Sequence, residues 1–564
     1  MLKSWRLLAI GVLLIVAGGL SALSTQTRDG VVVQDVRFTG ANGTQMSALL
    51  YIPANATRST HAPGILAVHG YINSRETQDG FAIEFARRGY VVLALDQTGH
   101  GFSGGPAFSN GFGGPDGLAY LRSLDMVDTD NIGLEGHSMG GWTVLAAAAA
   151  MPDGYRAMVL EGSSTGKPFA AEGTAAWPRN LAVVFSRYDE FSKLMWDVDR
   201  GRDVGKSRKL QTLFGANAPV ETGKLYGSIA DGTARILHTP ETTHPGDHFS
   251  NAAIGASLDW FAQTLKGGTP KPASDQIWVV KEIGTLVALI GFVLLMLGTF
   301  DLLLGLPVFA SMTHAPAPIV EARTRRWWIA LALTAFVPII TYFPFFILGA
   351  VITPPSALLK QGITNQVLVW ALLNAVLTLL IGFAFKGQKA KFESDWLRSI
   401  ALAVATVAIG YLSLVFADLA FKIDFRFWVV ALKLFTPAQF SSALIYLLPF
   451  TAFFLVLFRA LHTQIAVKGD GAGKHYLSAI AALAGGFLVL LCVDYGALFI
   501  DGKLLSAFDP LSTVVAIQFL PLMAIVGLIG VFTYRRTNSH VPGALICGLF
   551  VTWYIVAGTA TQAA

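Results

Sequence analysis

Gly136-His137-Ser138-Met139-Gly140 carries the strongest signal in this chain. The apolar run Asn131-Ile132-Gly133-Leu134-Glu135 leads into it, and Gly141-Trp142-Thr143-Val144-Leu145 with a string of alanines leads out. The pattern predicts a strand, a tight turn and a helix, with Ser138 at the apex. So sharp a turn forces its central residue into a strained backbone conformation and lifts the hydroxyl clear of the sheet. A Cβ on either flanking glycine would collide with the neighbouring strand or helix. In this setting Ser138 reads as an exposed nucleophile rather than as a serine in a glycine-rich turn.

Working outward, residues from about 30 to 266 alternate between short apolar strands and helices. Val31 to Phe38 and Ala48 to Ile52 read as an opening antiparallel hairpin. Strands are expected at Gly64–Val68, Tyr90–Leu95, Ile132–Glu135, Ala157–Glu161, Leu181–Phe185 and Arg235–Leu237. Helices are expected at Gln78–Arg88, Gly117–Leu124, Met139–Ala150 and Asn251–Leu265. This alternation implies a mostly parallel sheet covered by helices on both faces.

The rest of the chain has a different character. Hydrophobic residues make up 53% of the 564 and charged residues only 14%, which points to membrane segments. Lys3 and Arg6 precede an apolar run from Leu7 to about Leu23. That run fits a signal anchor, or a signal peptide cut near Ala22-Leu23-Ser24, and the uncleaved anchor is preferred. A stretch rich in glycine, proline and lysine begins at Lys266. Beyond it lie apolar runs near 284–307, 327–351, 365–385, 399–420, 441–459, 477–499, 511–533 and 541–559, each long enough to span a bilayer. The division is therefore 1–25 as an N-terminal transmembrane anchor, 26–266 as the α/β domain, 267–283 as a linker and 284–564 as a membrane domain of about eight helices.

Loop charges give the orientation. Arg323, Arg325, Arg326, Lys386, Lys389, Lys391, Arg398, Arg459, Lys468, Lys474, Arg535 and Arg536 fall on the side of Lys3 and Arg6. Only Lys360, Lys422, Arg426, Lys433 and Lys503 fall on the other. Cations concentrate on the cytoplasmic side of membranes. The expectation is a multi-pass protein of the cell membrane, with the α/β domain and the C-terminus outside. The net charge of +5 is explained by these loops and does not suggest nucleic acid. Cys492 and Cys547 sit in apolar spans, so a disulfide framework is not expected. Asp301, Asp418 and Asp494 lie in or near spans, where carboxylates are costly and often functional. Pro344 is expected to kink its span and Asn374 to bond between helices. The sequence does not set an oligomeric state.

A serine hydroxyl needs a base to take its proton and an acid to hold that base. Asp189 follows directly on the strand Leu181–Phe185, where the acid should stand, with Glu190 as the adjacent fallback. The segment from Thr239 to Phe249 joins the last strand to the last helix and carries two histidines. His244, closer to the strand, is preferred as base, with His248 as the alternative. The oxyanion donors are expected to be the N–H groups of Met139, at the helix start, and of Tyr71, in the loop after Val68. His69, His100 and His238 read as structural.

His69-Gly70, Asp96-Gln97-Thr98-Gly99-His100-Gly101-Phe102-Ser103 and Gly136-His137-Ser138-Met139-Gly140-Gly141 together resemble the α/β-hydrolase superfamily, in its esterase, lipase and serine aminopeptidase-like branch. The resemblance covers roughly residues 30–266 and implies a Ser–His–Asp hydrolase working through an acyl-enzyme, with no metal and no organic cofactor. It departs from many relatives in one respect. Between Glu161 and Leu181 there is little room for a large lid, so Gly104–Gly117, Phe191–Gly232 or the membrane domain must shape the pocket. No family is recognised in the second half. The expected activity is cleavage of an ester, in preference to an amide, at the outer membrane face, on a small-molecule or lipid-like substrate beside the bilayer. Two alternatives stand beside it: an acyltransferase with a lipid acyl donor, and a transporter or scaffold whose hydrolase-like domain only binds.

Overall fold

The computed structural model describes residues 2–384, 392 and 395–563. The expected loop cations Lys386, Lys389 and Lys391 lie outside the described residues, and Lys3 lies where side chains are not described.

Helix α1 (Leu2–Gln26) leads into an eight-stranded sheet. Its strands are β1 (Val32–Thr39), β2 (Gln45–Ile52), β3 (Ala62–Val68), β4 (Val91–Asp96), β5 (Val127–His137), β6 (Ala157–Glu161), β7 (Leu181–Val184) and β8 (Arg235–His238). Their spatial order is β1-β2-β4-β3-β5-β6-β7-β8, with only β2 antiparallel to its neighbours. Every residue of β3 and β4 is buried, which is why these strands read as unbroken apolar runs. Side chains still alternate by face. Leu66 and Val68 pack with α3 (Gly114–Arg122) and α4 (Met139–Ala150). Ile65 and Ala67 pack on the other face, with α2 (Asp79–Arg87) and α7 (Asn251–Thr264). The short helices α5 (Ser192–Trp196) and α6 (Arg208–Phe214) fill the β7–β8 connection.

Helix α8 (Trp278–Leu304) begins six residues ahead of the expected 284. It is followed by α9 (Arg325–Ile340), α10 (Tyr342–Ile352), α11 (Gly362–Ala384) and α12 (Trp396–Phe421). A small hairpin of β9 (Phe425–Phe427) and β10 (Val430–Leu432) comes next. The chain then continues through α13 (Pro437–Gln464), α14 (Ala472–Asp501), α15 (Pro510–Thr537) and α16 (Val541–Gly558). Eight of the described helices are long and apolar enough to cross a membrane, and α9 with α10 forms a further pair bent by 46°. The bend falls at Thr341, ahead of Pro344. A proline has no N–H for the carbonyl four residues back and its ring crowds that carbonyl, so the helix stops at Ile340. Asn374 meets the hydroxyl of Thr341 at this break, 3.2 Å away.

The connections alternate between the two ends of the bundle. The α/β domain, the hairpin, the α14–α15 loop and residues 559–563 share one end. There Arg202 donates to Asp501 O at 3.1 Å, and Thr561 N donates to Gly99 O at 2.8 Å. At the other end Lys468 N donates to Val320 O at 2.8 Å and Arg323 pairs with Asp470. Asp301 is paired with Arg536 there, and Asp494 accepts from Ser506 N at 3.0 Å. Both carboxylates are thus committed to structural bonds.

Glycines fix how α1 seats on α8. A Cβ at Gly291 would come within 2.7 Å of Gly11 O, and one at Gly298 within 2.5 Å of Leu8 N. Gly284 faces Gly18 in the same way. Glycine every seventh residue keeps one bare stripe along α8, against which another backbone can lie. Gly291→Leu should force the helices apart at an overpacking cost of about 1–3 kcal/mol. The expected readout is a lower thermal unfolding midpoint in detergent; an unchanged midpoint would rule out the close seam.

Candidate active site

Ser138 sits between the last residue of β5 and the first of α4, with φ 54° and ψ −120°. A non-glycine residue there is strained and must be held by its surroundings. The surroundings do so through close approach. A Cβ on Gly136 would run into Gly140 O, and one on Gly140 into Val68 O. The loop after β3 also lies against the serine, since a Cβ on Gly70 would stand 3.1 Å from Ser138 Cβ. Tyr71 and Met139, whose N–H groups are the expected oxyanion donors, both line the cavity onto which Ser138 opens. His69 is turned inward to shape this loop, with Nδ1 on Gly70 O at 2.7 Å and Nε2 accepting from Gln97 N at 3.2 Å.

The fold brings His244 to Asp189. His244 Nδ1 lies 2.8 Å from Asp189 Oδ2, and Asp189 Oδ1 accepts from Phe191 N at 2.7 Å. With the Nδ1 proton directed at the carboxylate, Nε2 keeps its lone pair. The backbone of His244 is gripped from two sides. Its N–H donates to Glu190 Oε2 at 2.7 Å, and its carbonyl accepts from His137 Nε2 at 2.9 Å. His248 lines the same cavity but has no carboxylate partner. Its ring nitrogens make no hydrogen bond among the described residues, and its ring lies 4.1 Å from that of His137.

Burial dominates the electrostatics. It lowers the His244 pKa to about 4, against an opposing pull from Asp247. It raises the Asp189 pKa well above the carboxylate range, with Asp247 adding to the effect. It raises Glu190 to about 8, helped by Asp189. The imidazole of His244 is therefore neutral across the physiological range. Among the described residues no group of three or more His, Cys, Asp or Glu side chains is placed to hold a metal ion.

The cavity measures about 280 Å³ and has two unlike walls. The α/β domain contributes Tyr71, Phe108, Trp142, Phe169, Phe191 and Met195. The opposite wall belongs to the helical half: Glu282 of α8, Arg426, Trp428 and Val429 of the hairpin, and Leu511, Val514 and Gln518 of α15. Trp428 Nε1 donates to Pro245 O at 2.6 Å, one residue from His244. Tyr495 of α14 donates to Glu190 Oε1 at 2.8 Å. The bundle takes the place of the missing lid. Sequence reading counted Arg426 and Lys433 only as loop charges and passed over Glu282, Trp428 and Tyr495. The available signal was the density of charged and aromatic residues from Asp424 to Lys433, within one short connection between spans.

Residues 63–192 match the family profile described as the alpha/beta hydrolase fold. A monoacylglycerol lipase of Mycolicibacterium smegmatis is 33% identical over 133 residues, which cover 22% of this chain and 45% of the relative. The quorum-quenching protein AidA of Acinetobacter baumannii is 34% identical over 122 residues, covering 20% of this chain and 39% of the relative. Among solved structures, the Pyrococcus furiosus esterase Pf2001 aligns at 18% identity with a TM-score of 0.30, over 43% of this chain and 94% of that one. The chain spans less than half the length of these two curated relatives.

Tyr495→Phe removes the bond that holds Glu190 from the bundle side and leaves a buried acceptor unpaired. A loss of about 1 kcal/mol of local stability is expected, which is roughly fivefold faster amide exchange at Phe191 and His244. Hydrogen exchange read by mass spectrometry checks this; unaltered protection of residues 189–192 and 244 would show that the tyrosine holds nothing.

Proposed function

We propose that this α/β-hydrolase domain is a serine hydrolase that cleaves acyl esters under a roof supplied by its own membrane helices. One observation carries the reading. His244 Nδ1 lies 2.8 Å from Asp189, and His244 opens on the same apolar cavity as the strained Ser138. Ser138 Oγ attacks the ester carbonyl while His244 Nε2 takes its proton. Asp189 keeps the imidazole in the tautomer that can accept it. The N–H groups of Tyr71 and Met139 stabilise the developing oxyanion. His244 then protonates the departing alcohol, and a water activated by the same nitrogen releases the acid. His244 is favoured over His248 because, of the two, His244 alone makes a carboxylate contact among the described residues.

The aromatic wall suits an apolar acyl chain, and the name of the lipase relative agrees with an ester substrate. Arg323, Arg398, Arg459, Lys468 and Arg536 belong to the bundle end away from the hydrolase domain, which supports an external active site. A second reading, acyl transfer to an alcohol, draws on the roof. A cavity walled on both sides limits the access of water to the acyl-enzyme.

A membrane-impermeant fluorophosphonate should label the native protein on intact cells and fail on Ser138→Ala. Asp189→Asn should lower kcat by about 10³–10⁴-fold. The pH profile follows from the depressed histidine. A base that titrates near 4 stays unprotonated above it, so kcat/KM should hold level down to about pH 5 and fall only toward 4. Labelling that survives in Ser138→Ala would sink the serine mechanism, and an acid limb near 7 would remove His244 as base. Adding glycerol during turnover and assaying for acylglycerol separates transfer from hydrolysis.

A further inference from the structure

Beyond the Ser138 cavity lies a second, smaller chamber of about 40 Å³ inside the helical half. The two share walls at Asn73, Thr77, Arg426, Trp428 and Gln518. Apolar side chains of α15 and α16, including Val515, Phe519, Leu522 and Ile555, form most of the inner chamber. Among the described residues its charged lining is one-sided: Arg426 and Lys433 line it, and no carboxylate does. Glu282 belongs to the outer cavity alone.

Lys433 is the anomaly. It is 7% exposed, and among the described residues its ammonium has neither a hydrogen bond nor an ion pair. Glu76, Asp418 and Asp424 line a small neighbouring cavity together with Lys433, yet among the described residues none forms an ion pair with it, and two of the three are held elsewhere. Asp424 is held by Arg426 Nε at 2.6 Å and Nη2 at 2.5 Å. Glu76 is taken by Arg75 Nε at 3.0 Å and by Ser74 at 2.5 Å. Burial, with Arg426 next, lowers the Lys433 pKa against an opposing pull from Glu76, Asp424 and Asp96. A buried cation without a partner is unfavourable, and a bound anion removes the penalty. Neutral donors are at hand too. Gln518 Oε1 accepts from Tyr554 at 2.7 Å, which leaves the amide N–H groups of Gln518 to donate.

We infer that the inner chamber is an anion subsite in which Lys433 binds the phosphate or carboxylate of an amphiphile whose apolar part lies in the Ser138 cavity. This deepens the hydrolase reading and rests on it for the substrate class: acyl esters that carry a negative charge. The binding claim stands by itself.

The test uses the full-length protein in neutral detergent and measures equilibrium binding of dodecyl phosphate, dodecanol and inorganic phosphate. Dodecyl phosphate should bind at least about tenfold tighter than dodecanol, and Lys433→Met should lose that preference while Lys433→Arg keeps much of it. Inorganic phosphate binding as tightly as dodecyl phosphate would overturn the amphiphile and leave a free-anion site. Equal binding of phosphate and alcohol, or an unaffected Lys433→Met, would overturn the subsite. If Lys433→Met does not fold, judged by its unfolding midpoint, Gln518→Leu makes the same comparison with an expected smaller loss. With turnover, the ratio of kcat/KM for a monoacylglycerol phosphate over the neutral acylglycerol should fall at least about tenfold in Lys433→Met. Anion binding without any ester turnover would fail the hydrolase reading and leave the subsite standing; turnover without charge selectivity would do the reverse.

Discussion

Everything about the site depends on a buried set of charges where the hairpin enters the hydrolase domain. Arg426 is 2% exposed and forks onto Asp424, while reaching Thr77 at 3.1 Å and Ser74 at 3.4 Å. Arg75, 1% exposed, bonds Asp35 at 2.7 Å and lies 3.8 Å from Asp96. Lys281 of α8 pairs with Asp79 at 2.5 Å, and Asp79 accepts from Tyr51 at 2.6 Å. Ions removed from water are tolerated only when paired and hydrogen-bonded, and removing one partner strands the other. Arg75 is satisfied within the α/β domain, whereas Asp79, Thr77 and Ser74 of that domain gain partners from the helical half. That is a stronger tie than apolar contact, because it fixes register as well as proximity.

The tie reaches the chemistry through two bonds. From one side Tyr495 holds Glu190, which holds the N–H of His244. From the other, Trp428 holds the carbonyl of Pro245. The histidine is thus clamped between two groups of the helical half, although its carboxylate neighbour Asp189 and Ser138 stand on connections of the sheet. Many hydrolases of this fold place a mobile insertion over the pocket. Here the corresponding surface is built from long apolar helices, one of which, α8, is seated on α1 through its glycine seam.

How far this could be read from sequence follows the range of each interaction. The strands were legible because both faces of the sheet are covered, which leaves local apolar runs. The elbow was legible because its glycines answer clashes within a few residues. Asp189 was legible by its place after a strand. Between His244 and His248 the sequence supported only a preference for His244, since both stand in one loop and the approach of Asp189 to His244 depends on the tertiary fold. Helix α8 was placed late because Lys281 and Glu282 interrupt its apolar pattern; in the fold both are buried, one on Asp79 and the other accepting from Trp428 N. That the helical half could cover the pocket was one of three readings the sequence offered; the contacts that make it the roof were invisible for a deeper reason. Tyr495 and Glu190 are 305 residues apart, and no periodicity reports a contact of that span.

This arrangement moves the determinants of selectivity away from the motif. The residues proposed to carry the chemistry, Ser138, His244 and Asp189, belong to the half with the family resemblance. The shape and charge that a substrate meets opposite Ser138 come from α8, α15 and the hairpin. A cavity with one aromatic wall and one wall bearing Arg426 and Glu282 discriminates by where a ligand places its polar end, since an unpaired charge in such a space is strongly disfavoured. On the proposed reading, substrate preference is therefore set by the helical half.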